Sequence, residues 1–307
     1  MNKQILNSGV AIPGILAIDE TEHGLIRATV TTAACVAEIY LQGAHLTHWQ
    51  PKGNKPVLFL SERSEFRPGK AIRGGVPIIF PWFGARTATP GDPRTDGPSH
   101  GFARTSNWQL ESATTSGDDL QLVLTLDPNE TSRSLGYDHF RLTYTLTIGM
   151  ELRLQLTVEN RSKAAMRFEE ALHSYFMVSD AQKITISGLA DTEFFDKTDG
   201  FQRKRQKESL LFLTGETDRP YINTEAQIEV DDPMFKRRLN VDKLNSKTTV
   251  IWNPWLELTA KMADMNANGW LQMVCIETAN AADNAVTLAP GEQHTMHAHI
   301  VVTELEV

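Results

Sequence analysis

The sequence predicts an all-β protein, an antiparallel β-sandwich. Three observations predict it. Apolar residues recur with period two in most of the patterned segments, the strand period and not the 3.6 of a helix. These segments are short and are punctuated by turn residues, as strands joined by hairpins are. No amphipathic helix of three turns separates them, so strand follows strand without the alternation of a parallel β-α-β fold.

The clearest element is a hairpin. Leu142, Tyr144, Leu146 and Ile148 alternate with Thr143, Thr145 and Thr147. After a turn near Gly149, Leu152, Leu154, Leu156 and Val158 alternate with Arg153, Gln155, Thr157 and Glu159. Each strand has one apolar face. Similar runs occupy residues 25–30, 34–41, 120–126, 183–186, 227–230, 248–252 and 296–305. Residues 256–265 read as a short helical or irregular excursion. No linker, composition break or fixed-period repeat divides the chain, so one domain over residues 1–307 is expected.

Composition narrows the class. With 307 residues, 41% hydrophobic and 22% charged, the chain can bury a core that needs no covalent staples. Cys35 and Cys275 have no motif spacing, which argues against a secreted disulfide framework and for a cytoplasmic protein. The start MNKQILNSGVAIPG lacks the basic-then-apolar order of a signal peptide. No run of about 18 apolar residues predicts a membrane span. A formal net charge of −8 argues against nucleic acid as a partner. Residues 61–104 run the other way, with Arg63, Arg67, Lys70, Arg73, Arg86, Arg94 and Arg104 against Glu62, Glu65, Asp92 and Asp96. A basic concavity in an acidic protein draws in a small anion; uneven surface charge accounts equally for the count.

That basic region contains Ile72-Arg73-Gly74-Gly75-Val76-Pro77-Ile78-Ile79-Phe80-Pro81-Trp82-Phe83-Gly84 and, further on, Ser99-His100-Gly101-Phe102-Ala103-Arg104. Its prolines exclude a long helix and a central strand. Gly74 and Gly75 allow close backbone approach or positive φ. The stretch reads as a rigid aromatic loop presenting two guanidiniums and an imidazole, or as a Pro/Gly-rich crossover with surface arginines.

Two more residues stand out on an apolar phase. Glu277 falls in step with Leu271, Met273 and Cys275 if one strand runs through them. A carboxylate there faces a cavity, since burying it unpaired is costly; a strand ending one residue earlier leaves it solvated at the rim. His173 falls in step with Ala171 and Tyr175, as a satisfied core histidine or as a titrating group that Glu169 or Glu170 keeps protonated. Asp218 precedes Arg219-Pro220, where an Asx-type turn is the plain reading. His45 with His48, and His294 with His297 and His299, suggest metal sites, but no carboxylate or cysteine lies at ligand spacing; strand-surface histidines are preferred and no metal is expected.

The blocks IRGGVPIIFPWFG, HGFAR, ALHSYF, VIWNPW and MVCIET, in that order, resemble the hexose-6-phosphate mutarotases (glucose-6-phosphate 1-epimerases) of the galactose-mutarotase-like, or aldose 1-epimerase, group. The resemblance spans residues 71–291. It implies a large antiparallel twisted β-sandwich, the galactose-mutarotase-like supersandwich, and cofactor-independent interconversion of the α and β anomers of an aldohexose 6-phosphate. It places the catalytic acid on His173 and the catalytic base on Glu277. It places a sugar contact on Asp218 and the phosphate on Arg73 and Arg104; His100, Trp82 and Ser99 are further candidates for substrate contact. Ser99 departs from the glutamine common in this branch, which puts that contact in question. Trp252 and Trp255 offer further faces for a sugar, or are core. The expected partner is a small sugar phosphate and the expected state a monomer. The competing readings are a non-catalytic carbohydrate-binding protein on the same fold, a mutarotase of unphosphorylated aldoses, and a metal-dependent sugar isomerase or lyase built on His294, His297 and His299.

Overall fold

A computed structural model describes residues 10–89 and 92–305. The reading of the N-terminal segment as free of a signal peptide rests largely on residues outside the described ones. The predicted hairpin is Phe140–Ile148 with Leu152–Asn160, antiparallel, with Leu142 opposite Val158 and Ile148 opposite Leu152. Its inward residues are fully buried and its threonines half-buried. The other predicted runs also form strands, with ends moved by a residue or a few. Residues 256–265 hold a five-residue helix, Trp255–Thr259, followed by turns.

Among the described residues the hairpin belongs to a nine-stranded antiparallel sheet. Its order is Leu210–Leu211, Thr185–Ser187, Ile228–Asp232, Arg237–Leu244, Gln293–Glu304, the two hairpin strands in reverse order, Asp119–Leu126 and Gln109–Ser116. One face of this sheet is apolar and the other wet, as its alternation requires. The apolar face packs against a second sheet. There Gln202–Arg205, Glu193–Asp196, Thr217–Ile222, Thr248–Asn253, Met273–Asn280, Glu170–Leu172 and Ile78–Ile79 lie in order, and Tyr175–Met177 also pairs with Met273–Asn280. Leu172, Phe176, Ile251, Val274 and Ile276 of the second sheet share one core with Leu122, Leu146, Leu154 and Ile300 of the first. Each such side chain contributes about 1.5–3 kcal/mol by leaving water. A four-stranded sheet, Leu16–Glu20, Ile26–Thr31, Cys35–Tyr40 and His45–Pro51, adds Val30, Ile39 and Leu46 to that core.

The two sheets differ in what their other faces do. All eight residues of Met273–Asn280 are buried, because this strand is covered on both sides. The strand begins at Met273, and Leu271 lies in the preceding 3₁₀ turn Gly269–Gln272. The expected phase of Glu277 with Met273 and Cys275 holds; Leu271 is not part of it.

Candidate active site

Strand register brings the two singled-out residues together. Leu172 pairs with Thr278 and Tyr175 with Cys275. The same register runs through the break between those short strands, where the Ile276 N–H donates to the Ser174 carbonyl at 3.2 Å. His173 therefore lies opposite Glu277, and its Nε2 is 3.3 Å from Glu277 Oε1. Across the next strands, Trp252 pairs with Cys275 and Asp218 with Trp252. Side chains on alternate positions share a face, so Asp218, Trp252, Cys275, Glu277, His173 and Tyr175 all project from one face of the second sheet. The His173 ring stacks on Tyr175 at 4.8 Å and 9°, and Trp252 meets both rings edge-on. Trp252 thus lines the site, whereas Trp255 packs on Trp270. Asp218 sits in the strand Thr217–Ile222, not in an Asx turn. Pro220 is tolerated there because the strand's second neighbour pairs only at Phe194 and Tyr221.

The loop ahead of Ile78–Ile79 lies against the same face. The His173 N–H donates to Pro77 O at 3.0 Å and the Tyr175 N–H to Gly75 O at 2.9 Å. Gly74 and Gly75 have φ of 119° and 62°, and a Cβ on either would overlap the carbonyl of Phe59 or of Leu46. Only glycine lets the loop lie this close. His45, buried and pulled down to about 4 by burial, bonds Gly74 O through Nε2 at 2.7 Å. It is a core histidine that holds the loop, not half of a metal site.

Arg73 leaves this loop and is engaged. Its Nε donates to Asp264 Oδ2 at 3.1 Å and its Nη1 to Tyr175 Oη at 3.0 Å. Arg104 donates from Nη2 to the Ser99 carbonyl at 2.8 Å and has no carboxylate partner among the described residues. Burial and the neighbouring Arg73 pull its charge down, against Tyr175, Asp264 and Glu277. Ser99 thus meets Arg104 through its backbone, and its side chain is exposed. His100 accepts the Gly84 N–H on Nδ1 at 3.2 Å, which puts its proton on Nε2. Burial first, then Arg104, Lys197 and Arg73, bring it down to about 3. Its ring stands 5.5 Å from that of His173.

Trp82 departs from expectation. Its indole is buried against Phe102 and Tyr137, under Arg86 at 4.6 Å, and donates to Pro98 O at 2.9 Å. It lines a cavity of about 440 Å³ on the far side of the loop, together with Arg86, Tyr137 and Arg167, and not the chamber of His173. The carboxylates proposed to protonate His173 also lie elsewhere. Glu169 accepts the N–H groups of Phe83 and Ala282, and Glu170 takes His294 at 3.0 Å and Asn280 at 2.9 Å. That contact separates the suspected histidine cluster. His294 turns inward to Glu170, while His299 pairs with Glu151 on the outer face at 2.9 Å.

Charges within the chamber oppose one another. Burial, with Asp218, pushes Glu277 well above the carboxylate range against Lys197 and Arg104. Burial, with His100, Arg104 and Arg73, holds His173 well below its usual value. Both shifts favour the uncharged form, a carboxyl beside an imidazole. That direction runs against the expected imidazolium. Glu277 Oε2 and His173 Nδ1 have no hydrogen-bond partner among the described residues.

Sequence reasoning missed Tyr175, Asp264 and Lys197. Lys197 Nζ lies 2.6 Å from Asp218 Oδ2. The phase of Tyr175 with His173 was a usable signal; nothing near Asp264 or Lys197 marked them. Cys275 Sγ, a His173 ring nitrogen and a Glu277 oxygen fall within 4.8 Å of one another, a donor set that zinc accepts. Burial keeps Cys275 a thiol, and a cation there would occupy both His173 and Glu277.

Comparison with known proteins supplies the family. The aldose 1-epimerase family model matches residues 27–300. A protein of Escherichia coli (strain K12), provisionally named glucose-6-phosphate 1-epimerase, is 34% identical over 80% of each chain. One of Cenchrus ciliaris with the same provisional name is 30% identical over 89% of this chain and 84% of its own. The crystal structure of YeaD of Salmonella typhimurium, provisionally called a mutarotase, superposes with a TM-score of 0.88 at 30% identity over 95% of both chains. The chain belongs to the aldose 1-epimerase family, isomerases that interconvert the α and β anomers of aldoses.

Proposed function

We propose that the substrate is an aldohexose 6-phosphate, glucose 6-phosphate above others, and that His173 and Glu277 carry the proton transfers. One observation supports this above the rest. The His173–Glu277 pair shares its chamber with Arg104, a part-buried guanidinium without a carboxylate partner among the described residues. A phosphate dianion matches such a fork. The names carried by the E. coli and Cenchrus ciliaris relatives point to the same substrate.

Mutarotation needs one base and one acid. Glu277 takes the proton of the anomeric hydroxyl as the C1–O5 bond breaks, and His173 gives its proton to O5. The aldehyde turns about C1–C2, and closure returns both protons. Before opening, the proton of the pair is on His173; after it, on Glu277. The second arrangement is the one that burial favours without substrate. The buried chamber thus drives ring opening, and the incoming dianion favours the imidazolium needed to start. Asp218 and the Nε2–H of His100 bind ring hydroxyls, and Arg104, with Arg73, holds the phosphate.

Polarimetry on freshly dissolved α-glucose 6-phosphate tests the reading, with α-glucose alongside. The phosphosugar should equilibrate faster by at least tenfold in kcat/KM. Equal rates would point to unphosphorylated aldoses. No acceleration with either, with binding intact, would leave a carbohydrate-binding protein.

A further inference from the structure

Lys197 has no part in the roles given so far, yet it stands in the chamber. It opens the 3₁₀ turn Lys197–Asp199, whose backbone is firmly held. The Asp196 side chain accepts from Thr198 N–H at 3.2 Å and from the Thr198 hydroxyl at 2.7 Å. Lys204 Nζ bridges Asp196 at 2.8 Å and Asp199 at 2.7 Å. Gly200 closes the turn in the left-handed region at φ 60°. From this base the Lys197 side chain crosses the Phe83 ring, its Nζ 5.7 Å from the centroid, and ends 2.6 Å from Asp218 Oδ2.

We propose that Lys197 and Asp218 together form a clamp for two neighbouring sugar hydroxyls, those on C2 and C3, with Lys197 as the hydrogen-bond donor that reads one of them. The inference rests on the sugar-phosphate reading above and extends it to specificity. An ammonium carries three donors and a carboxylate accepts at two oxygens. Their mutual contact uses one N–H and Oδ2. Both side chains remain about one-fifth to one-quarter exposed, at 24% and 20%, so donors on one and an acceptor on the other stay accessible. Two adjacent ring hydroxyls, one donating to Asp218 and one accepting from Lys197, fit this arrangement.

Position selects the hydroxyls. Tyr175, Cys275, Trp252 and Asp218 form one cross-strand row. Arg73 contacts Tyr175 at one end, and Lys197 contacts Asp218 at the other. Neighbouring strands are about 4.8 Å apart, so the two cationic ends are separated by roughly three such spacings before the side chains converge. With the phosphate at the arginine end and C1 at Glu277, the ring edge left for the far end is the one opposite C5, which carries O2 and O3.

The pair has an electrostatic consequence as well. Burial raises Asp218, and Lys197 opposes it. Asp218 in turn pushes Glu277 up while Lys197 draws it down. Lys197 therefore keeps Asp218 an acceptor and limits how firmly Glu277 holds its proton.

The test crosses enzyme variants with deoxy sugars. Wild type, Lys197→Met and Lys197→Arg are assayed with glucose 6-phosphate and its 2-deoxy, 3-deoxy and 4-deoxy analogues. Lys197→Met should lower kcat/KM for glucose 6-phosphate by roughly tenfold to a hundredfold, the weight of a hydrogen bond to a charged group. With either the 2-deoxy or the 3-deoxy analogue the same substitution should matter less than threefold, since the contact is already gone. The 4-deoxy analogue should still show the full loss. Lys197→Arg should recover part of the rate, and the alkaline limb of the Lys197→Met pH profile should move upward. An equal loss with all four sugars and an unmoved pH limb would make Lys197 merely structural and overturn the clamp. If Lys197→Met fails to fold, wild type alone decides: 2-deoxy and 3-deoxy losses no larger than the 4-deoxy loss refute it. Absence of catalysis by wild type would refute the functional reading instead. Calorimetric binding of the same four phosphosugars would then judge the clamp by itself.

Discussion

The two large sheets are made of similar strands but use them differently. The nine-stranded sheet sets leucine, isoleucine and valine on one face and threonine, arginine and glutamine on the other. The second sheet buries one face in the same core and uses the other to hold Asp218, Glu277, His173 and, through Tyr175, Arg73. Among the described residues five of its side-chain polar atoms, Glu277 Oε2, His173 Nδ1, Glu170 Oε2, Arg219 Nε and Thr249 Oγ1, are buried without a partner, against two, Tyr144 Oη and Arg237 Nε, in the nine-stranded sheet. Each such atom costs about 1–3 kcal/mol when left unsatisfied. The first sheet supplies stability, and the second holds groups whose strain is chemical readiness.

The largest effects should separate the two sheets cleanly. Glu277→Gln should lower kcat by about 10²–10⁴-fold, the usual weight of a positioned acid–base group, with no loss of Tm. Leu154→Ala, in the nine-stranded sheet, should destabilise by about 2–5 kcal/mol with little change in kcat of the folded protein. The pH dependence follows from the same pair. Activity needs one shared proton. It should fall in alkali as the raised Glu277 ionises and in acid as the lowered His173 gains a second proton. The two limbs belong to the pair and not to either residue alone. Stability has a definite sign too. Above the ordinary glutamate value of ~4.3 the unfolded chain sheds its proton while folded Glu277 keeps it. The folded state then binds more protons, so its stability declines as pH rises. The Tm advantage of Glu277→Gln over wild type should grow from pH 5 to pH 8. A constant difference would show that Glu277 is already ionised in the folded protein.

The same contrast explains what could be read without coordinates. The hairpin Phe140–Ile148 and Leu152–Asn160 was legible because one wet face leaves a clean period of two. Met273–Asn280 carries no such alternation, since a strand covered on both faces shows none; its reach back to Leu271 was misread for that reason. His173 and Glu277 were named by resemblance and by phase. Their direct opposition was not legible, because it depends on a register running through a two-residue break. Asp264 and Lys197 were missed because a charged residue in a turn looks the same whether it faces solvent or a cavity. Trp82 was misplaced because an aromatic beside glycines and prolines fits a sugar platform as well as a core.

A smaller effect should separate the two arginines of the chamber. Arg104→Ala should reduce kcat/KM for glucose 6-phosphate by about tenfold to a hundredfold, at ~1.5–3 kcal/mol for a hydrogen bond to charge, and leave glucose nearly unchanged. Sulfate should compete with the phosphosugar in wild type and much less in the variant. Arg73 is a poorer probe, because its removal also strands Asp264 and the Tyr175 hydroxyl. If Arg104→Ala reduced both sugars equally, the guanidinium would be serving the His173–Glu277 pair and not the phosphate.

The smallest effect is the most discriminating about how the loop works. The sequence offered the Ser99 hydroxyl as a substrate contact, in question because serine stands where this branch commonly has glutamine. In the structure the Ser99 carbonyl takes Arg104 Nη2 at 2.8 Å, and the side chain is exposed. A backbone acceptor is indifferent to the residue that carries it. Ser99→Ala should therefore change kcat/KM for glucose 6-phosphate by less than twofold, and the ratio of phosphosugar to glucose should stay put. A direct hydroxyl–sugar contact would instead give a loss of roughly two- to tenfold, from ~0.5–1.5 kcal/mol for a neutral hydrogen bond. Assaying Ser99→Ala in the Arg104→Ala background completes the argument. If Ser99 acts only by orienting Arg104, the second substitution should add nothing once the guanidinium is gone. An additional loss in the double variant would return the hydroxyl to the sugar and place position 99 among the residues that choose the substrate.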